Sequence, residues 1–185
     1  MKKTDLHIAD EEHLIKCCKN NDAQAQKLLY SMHVESMMIV CLRYVVNPED
    51  AREVLMDGFF NFFKNIDRFT YMGIGSPRAW LKKIVVNQCL MHLRKKQPFY
   101  VNSKDPELYD APDVSENALD QLTVKEILRL VHDLPDGYRA VFNLYVFEGK
   151  NHKEIGALLD ISESTSKTQL HRARALLKEK LVPIS

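Results

Sequence analysis

Residues 152–181 read HKEIGALLDISESTSKTQLHRARALLKEKL, and the reading of the whole chain starts from them. Ile155, Leu158 and Leu159 recur at helical spacing and give a short helix one apolar face, on which Gly156 leaves room for a second helix to cross closely. Asp160-Ile161-Ser162 then reads as a tight turn. Ile161 plugs the angle, Asp160 tolerates a left-handed backbone where glycine is commoner, and Ser162 can cap a helix beginning at Glu163. In that helix Leu170, Ala173, Leu177 and Leu181 can face inward, which spreads Lys167, Thr168, His171, Arg172 and Arg174 over the sides and outer face. Such a helix suits the major groove of DNA, with its N-terminal half toward base edges and its basic remainder on phosphates. A run of cations alone fits an ordinary helical hairpin with a solvated face. The helix lengths, the tight turn and the concentration of cations in the second helix decide for a helix-turn-helix. Ser166 departs from the usual pattern, in which a branched apolar residue stands at this position, and predicts loose packing there.

Upstream, apolar residues recur three or four apart with little strict alternation, so the chain reads as all-α. A short amphipathic helix spans Glu11 to Lys19. Asn21-Asp22 precede a second, through Leu28, Leu29, Met32, Ile39 and Val46. Asn47 caps a third, with Pro48 at its first position where a missing N–H costs nothing. Ser76-Pro77 repeats that signal after the loop Thr70-Tyr71-Met72-Gly73-Ile74-Gly75 and opens a fourth helix to about Lys96. Pro98, Pro106 and Pro112 then punctuate a stretch without helical periodicity. Helix restarts at Ser115 and ends at Leu134-Pro135; Tyr138 to Phe147 forms the next, with Gly149 placed as its left-handed terminator. The organisation is therefore two small helical domains, residues 1–97 and 115–185, joined by a flexible linker over 98–114.

Net charge is only +1, but its distribution is uneven. Arg78, Lys82, Lys83, Arg94, Lys95 and Lys96 face no acidic residue between positions 78 and 96. Over 102–120 six acids stand against Lys104 alone, and over 166–180 five cations stand against Glu179. Two basic patches are separated by an acidic connector. No apolar run approaches the length of a spanning helix, and Met1-Lys2-Lys3-Thr4-Asp5 continues into polar sequence rather than a leader, so a cytoplasmic protein is expected. Cys17, Cys18, Cys41 and Cys89 lack paired spacing and read as reduced thiols; Cys89 with His92 makes too few ligands for a metal site. There is no phosphate-binding glycine loop, metal cluster or activated nucleophile, which argues against an enzyme, a cofactor or a small-molecule substrate. A repressor or activator working without polymerase remains the alternative DNA-binding reading.

Four segments, in order, resemble the small two-domain sigma factors of the extracytoplasmic-function (ECF) type, which direct bacterial RNA polymerase to promoters. They are NPEDAREVLMDGFFNFFKNIDRF, SPRAWLKKIVVNQCLMHLRKK, the LPDGYRAVF that opens the C-terminal domain, and the helix-turn-helix itself. The resemblance implies that Asp57, with Phe59 and Phe60 nearby, docks on core polymerase, together with Met56, which stands where the family usually has Gln. It implies that the loop with Tyr71 and Met72 captures a base flipped from the minus-10 element, and that Asn87 contacts the melted strand. Lys82, Lys83 and Arg94 are then available for its phosphates. It further implies that Lys167, Thr168, His171 and Arg172 contact the minus-35 element, with Arg174 beside them. Core polymerase and promoter DNA are the implied partners, an anti-sigma factor a further one, and the linker's acids suit basic polymerase channels. Trp80, among Leu81, Ile84 and Val85, reads as a core anchor rather than a stacking platform.

Overall fold

The structure is a computed structural model that describes residues 11–96 and 123–181. Among these the secondary structure is eight α-helices and one short 3-10 turn, with no strand. The chain gathers into two compact units, Met1–Leu42 with Asn47–Cys89, and Arg43–Val46 with Leu90–Ser185. The acidic linker lies outside the described residues.

In the N-terminal half, α1 (Glu11–Lys19), α2 (Ala23–Tyr44), α3 (Pro48–Lys64) and α4 (Ser76–Lys96) follow one another, with the 3-10 turn Ile66–Arg68 after α3; the last residues of α2 and of α4 fall with the second unit. The starts are set by side chains that satisfy the free N–H groups of a first turn. Asp22 Oδ1 accepts from the amides of Gln24 and Ala25 at 2.8 and 3.0 Å. Asn47 Oδ1 does the same for Glu49 and Asp50 at 2.8 and 3.2 Å. The core is aromatic where α3 meets α4: Phe62, 0% exposed, lies 4.9 Å from the Trp80 ring, which stacks on Phe69 at 5.1 Å. Trp80 is thus the anchor its neighbours suggested. Gly58 lets the two helices approach, because a Cβ there would sit 2.8 Å from Val85 Cγ2. Cys18, Cys41 and Cys89 are buried thiols, and burial pushes that of Cys18 up to about 11.

The start of α4 corrects an expectation. Ser76 is already helical, and its hydroxyl turns back to accept from the Met72 amide at 3.2 Å rather than serving as the extended cap residue before the helix. The Gly75 carbonyl takes the first intrahelical bond, from Ala79 N.

The second unit contains α5 (Val124–His132), α6 (Asp136–Val146), α7 (His152–Leu159) and α8 (Glu163–Leu181). A helix running unbroken from Ser115 was expected. The part before residue 123 lies outside the described residues, but Thr123 has extended backbone and makes a reciprocal capping box with Glu126, so a helix begins at Val124. The Leu134-Pro135 junction is held by Arg139, 3% exposed, which donates to the Leu134 carbonyl at 2.7 Å and pairs with Asp136. This gives LPDGYR a physical role: the arginine satisfies the carbonyl that proline cuts off from the next helix. Gly149, at φ 62°, ends α6 as predicted, with Lys150 N donating to Leu144 O at 2.9 Å.

Candidate nucleic-acid and partner interfaces

The helix-turn-helix begins at Asn151, whose side chain accepts from Glu154 N while Glu154 accepts from Asn151 N, both at 2.9 Å. Asp160 takes the left-handed conformation, φ 57° and ψ 47°, at the end of α7. Ser162 Oγ accepts from Thr165 N at 2.9 Å and so starts α8. Gly156 is required for a reason slightly different from the one expected. The group that crosses it is the turn itself, since a Cβ would lie 2.8 Å from the Ile161 carbonyl oxygen.

Leu170, Ala173 and Leu177 are buried, packing α8 on α6 and α7. Lys167 is exposed and pairs with Glu163 at 2.8 Å. Thr168, His171, Arg172 and Arg174 are half-buried along the flanks. Arg172 Nη1 donates to the Tyr138 hydroxyl at 3.2 Å, and the Arg174 guanidinium lies 5.5 Å from the Tyr145 ring centroid. The two arginines are therefore propped by aromatic residues of α6, which limits the rotamers open to them.

Ser166 overturns the expectation of loose packing. It is 0% exposed, and its Oγ lies 2.9 Å from His152 Nδ1. The His152 ring stacks on Tyr145 at 5.0 Å. A polar pair across the two helices thus takes the place of an apolar one, with its hydrogen bond satisfied.

In the first unit, Met56 and Phe60 are 55% and 65% exposed on one side of α3, with Asp57 exposed beside them. Tyr30 Oη lies 3.9 Å from Met56 Sδ, and Lys64 Nζ 5.9 Å from the Phe60 ring. Phe59, by contrast, packs against Tyr30 at 4.7 Å and is core. On α4, Lys83 and Asn87 are exposed four residues apart and share a face, while Lys82 is half-buried around the helix from them. Arg94 is exposed three turns along and falls with the second unit. Before α4, Tyr71 is half-buried and Met72 is 85% exposed; Ile74, which sequence reasoning passed over, is 71% exposed.

Comparison with known proteins joins these surfaces. Residues 29–99 match the family described as Sigma-70 region 2, and residues 118–177 match Sigma-70, region 4. The chain belongs to the sigma-70 family, in its ECF group. It is 28% identical over 180 residues to the ECF RNA polymerase sigma factor SigW of Bacillus subtilis, covering 90% of this chain and 94% of that one. It is 24% identical over 185 residues to the ECF RNA polymerase sigma-E factor of Haemophilus influenzae, covering 94% and 96%. The solved structure of CnrH in complex with the cytosolic domain of CnrY shares the fold at TM-score 0.50 and 20% identity, covering 95% of this chain and 99% of that chain. No described helix of the sigma factor is long and apolar enough to cross a membrane.

Two histidines of this sigma factor, buried His33 and half-buried His152, make its stability pH-dependent. Burial, then the nearby Lys167 and Arg174 charges, hold His152 below the ordinary histidine range, with Glu163 opposing. Burial likewise lowers His33, with Arg78 adding to it and Glu11 opposing. For a depressed histidine the unfolded chain takes up the proton first. Stability present above about pH 6.5 is then lost as pH falls through the folded value. Urea midpoints should drop between pH 7.5 and pH 5.5, and His33→Gln with His152→Gln should flatten that drop. An equally steep drop in the double variant would refute the assignment.

Proposed function

We propose that the sigma factor divides promoter recognition between its two ends, with residues 1–97 binding core polymerase and opening the minus-10 element and residues 115–185 reading the minus-35 element. Residues 98–114 serve as an acidic tether. The observation that carries this reading is the separation of faces within single helices. On α8 the basic residues flank a buried Leu170-Ala173-Leu177 stripe, and on α4 Lys83 and Asn87 lie opposite buried Leu81, Val85 and Cys89. Lys167, Thr168, His171, Arg172 and Arg174 form the minus-35 set, and Tyr71, Met72, Lys82, Lys83, Asn87 and Arg94 the minus-10 set. Met56, Asp57 and Phe60 contact core polymerase.

The mechanism is binding without catalysis. Unstacking a base costs a few kcal/mol, which a protein without a nucleotide-driven motor offsets only by binding the opened strand better than the duplex. Cations on α4 hold the strand's phosphates, and the loop before it receives a base. Because core polymerase sets the spacing of the two ends, the isolated sigma factor binds promoter DNA weakly. It works in the cytoplasm with polymerase. An anti-sigma factor is the expected inhibitor, supported by the similar CnrH having been solved in complex with the cytosolic domain of CnrY.

With reconstituted polymerase, Arg172→Ala should weaken closed-complex formation by about 5- to 100-fold on promoters with an intact minus-35 element. Asn87→Ala should leave that step unchanged and slow strand opening, read by permanganate reactivity in the minus-10 element. Equal effects of both variants on closed-complex formation would overturn the division of labour.

A further inference from the structure

The loop 70–75 is gripped at both ends by a helix that the reading above leaves without a role. Lys19, at the end of α1, donates through Nζ to the Phe69 carbonyl at 2.7 Å. Glu11, at its start, accepts through Oε2 from the Gly75 amide at 2.9 Å. Burial, then the charge of the same carboxylate and hydrogen bonding to it, raise the pKa of the Tyr71 phenol. The charges match the backbone groups they hold: the ammonium takes a carbonyl and the carboxylate takes an amide. Eight residues separate Glu11 from Lys19, about 12 Å of helix, so α1 runs alongside the loop as a strap.

Two more backbone amides at the end of the loop are bonded locally. Met72 N donates to Ser76 Oγ at 3.2 Å and Ser76 N to Gly73 O at 3.1 Å. Gly73 and Gly75, at φ 107° and 84°, supply backbone that side-chain-bearing residues rarely adopt. Met72 and Ile74, 85% and 71% exposed, project outward, with Thr70 exposed at the start of the loop. A loop braced by local hydrogen bonds, from which two large apolar side chains project, is suited to a flat, uncharged ligand face such as an unstacked nucleobase. It is poorly suited to a phosphate, which the Glu11 carboxylate repels.

We propose that Glu11 and Lys19 are positioning residues that hold the loop in its base-receiving shape before DNA arrives, and that Ile74 joins Met72 in forming the apolar wall. Pre-ordering the loop removes an entropy cost that would otherwise fall on strand opening. The inference rests on the reading of this loop as a base receptor.

The test uses holoenzyme assembled from core polymerase and the full-length sigma factor, with opening followed by permanganate and base preference measured on promoters carrying each of the four bases at the flipped position. Glu11→Ala should slow opening by about tenfold, the scale of one charged hydrogen bond, and flatten the base preference, with closed-complex affinity unchanged. Glu11→Gln keeps an oxygen for the Gly75 amide and should recover most of the loss; Lys19→Ala should resemble Glu11→Ala. A combined Tyr71→Ala, Met72→Ala and Ile74→Ala variant separates the two levels. If it opens normally, the loop is not the receptor and the strap falls with it. If it is defective while Glu11→Ala and Lys19→Ala open at the parental rate and keep the parental preference, the strap alone is refuted.

Discussion

Phe60→Ala should lower affinity for core polymerase by about 30-fold or more while shifting the stability of the first unit by no more than about 0.5 kcal/mol. Phe60 is 65% exposed on α3 beside Met56, so the folded unit gains little by burying it. An aromatic ring held on a rigid helix is the kind of anchor that dominates a protein interface. Two positions along, Phe62→Ala should do the reverse. That side chain is 0% exposed and touches both Phe63 and Trp80, at 5.4 and 4.9 Å between ring centroids. Its removal should cost about 3–5 kcal/mol of unfolding free energy through lost transfer and the cavity left behind. Polymerase titration with fluorescently labelled sigma factor and urea unfolding of the two variants separate the roles. If Phe60→Ala binds core polymerase like the parent, Phe60 has no place in the interface.

The second large effect is expected at Gly156. Replacing glycine inside a helix by alanine ordinarily gains about 1 kcal/mol in helix propensity. Here a Cβ would sit 2.8 Å from Ile161 O, and the obstructing atom is backbone in the turn rather than the end of a side chain that can swing away. Gly156→Val should therefore force the turn apart, costing about 3 kcal/mol at the upper end of the overpacking range, and tilt α8 on α7. In holoenzyme it should abolish protection of the minus-35 element while leaving permanganate reactivity on a pre-melted minus-10 template unchanged. Ala157→Val, at the next and exposed position, is the control and should cost a few tenths of a kcal/mol. Unaltered minus-35 protection by Gly156→Val would mean that the turn has slack the geometry does not suggest.

Most element boundaries were legible because short-range chemistry sets them. Asn47-Pro48, Asp22, Asp160-Ile161-Ser162 and Gly149 act within one turn of where they stand, and the structure uses each as read. Ser76 was misread as a forward cap, and Thr123, which does cap a helix, was passed over. A hydroxyl beside a helix start has several backbone partners within reach, and residue type alone does not choose between capping forward and bonding backward. Lys167 followed as an outward residue from the period of its helix, while Phe60 and Asn87 were singled out by the family resemblance. The inward polar neighbours of Lys167 did not follow: Ser166 and Gln169 are buried, at 0% and 2% exposure, although their type suggests a surface.

The sequence by itself determined the all-helical class and the helix-turn-helix, and the order of four motif segments placed the chain among the sigma factors, because these depend on periodicity and on contacts within a few residues. Tertiary structure alone decided which groups brace the helix-turn-helix and the loop 70–75. His152 meets Ser166 across the turn, Tyr138 supports Arg172 from another helix, and Glu11 and Lys19 hold a loop some fifty to sixty residues away. Such pairings leave no periodic trace, since a carboxylate that strings a distant amide into place looks, in one dimension, like any other charge on a solvated helix.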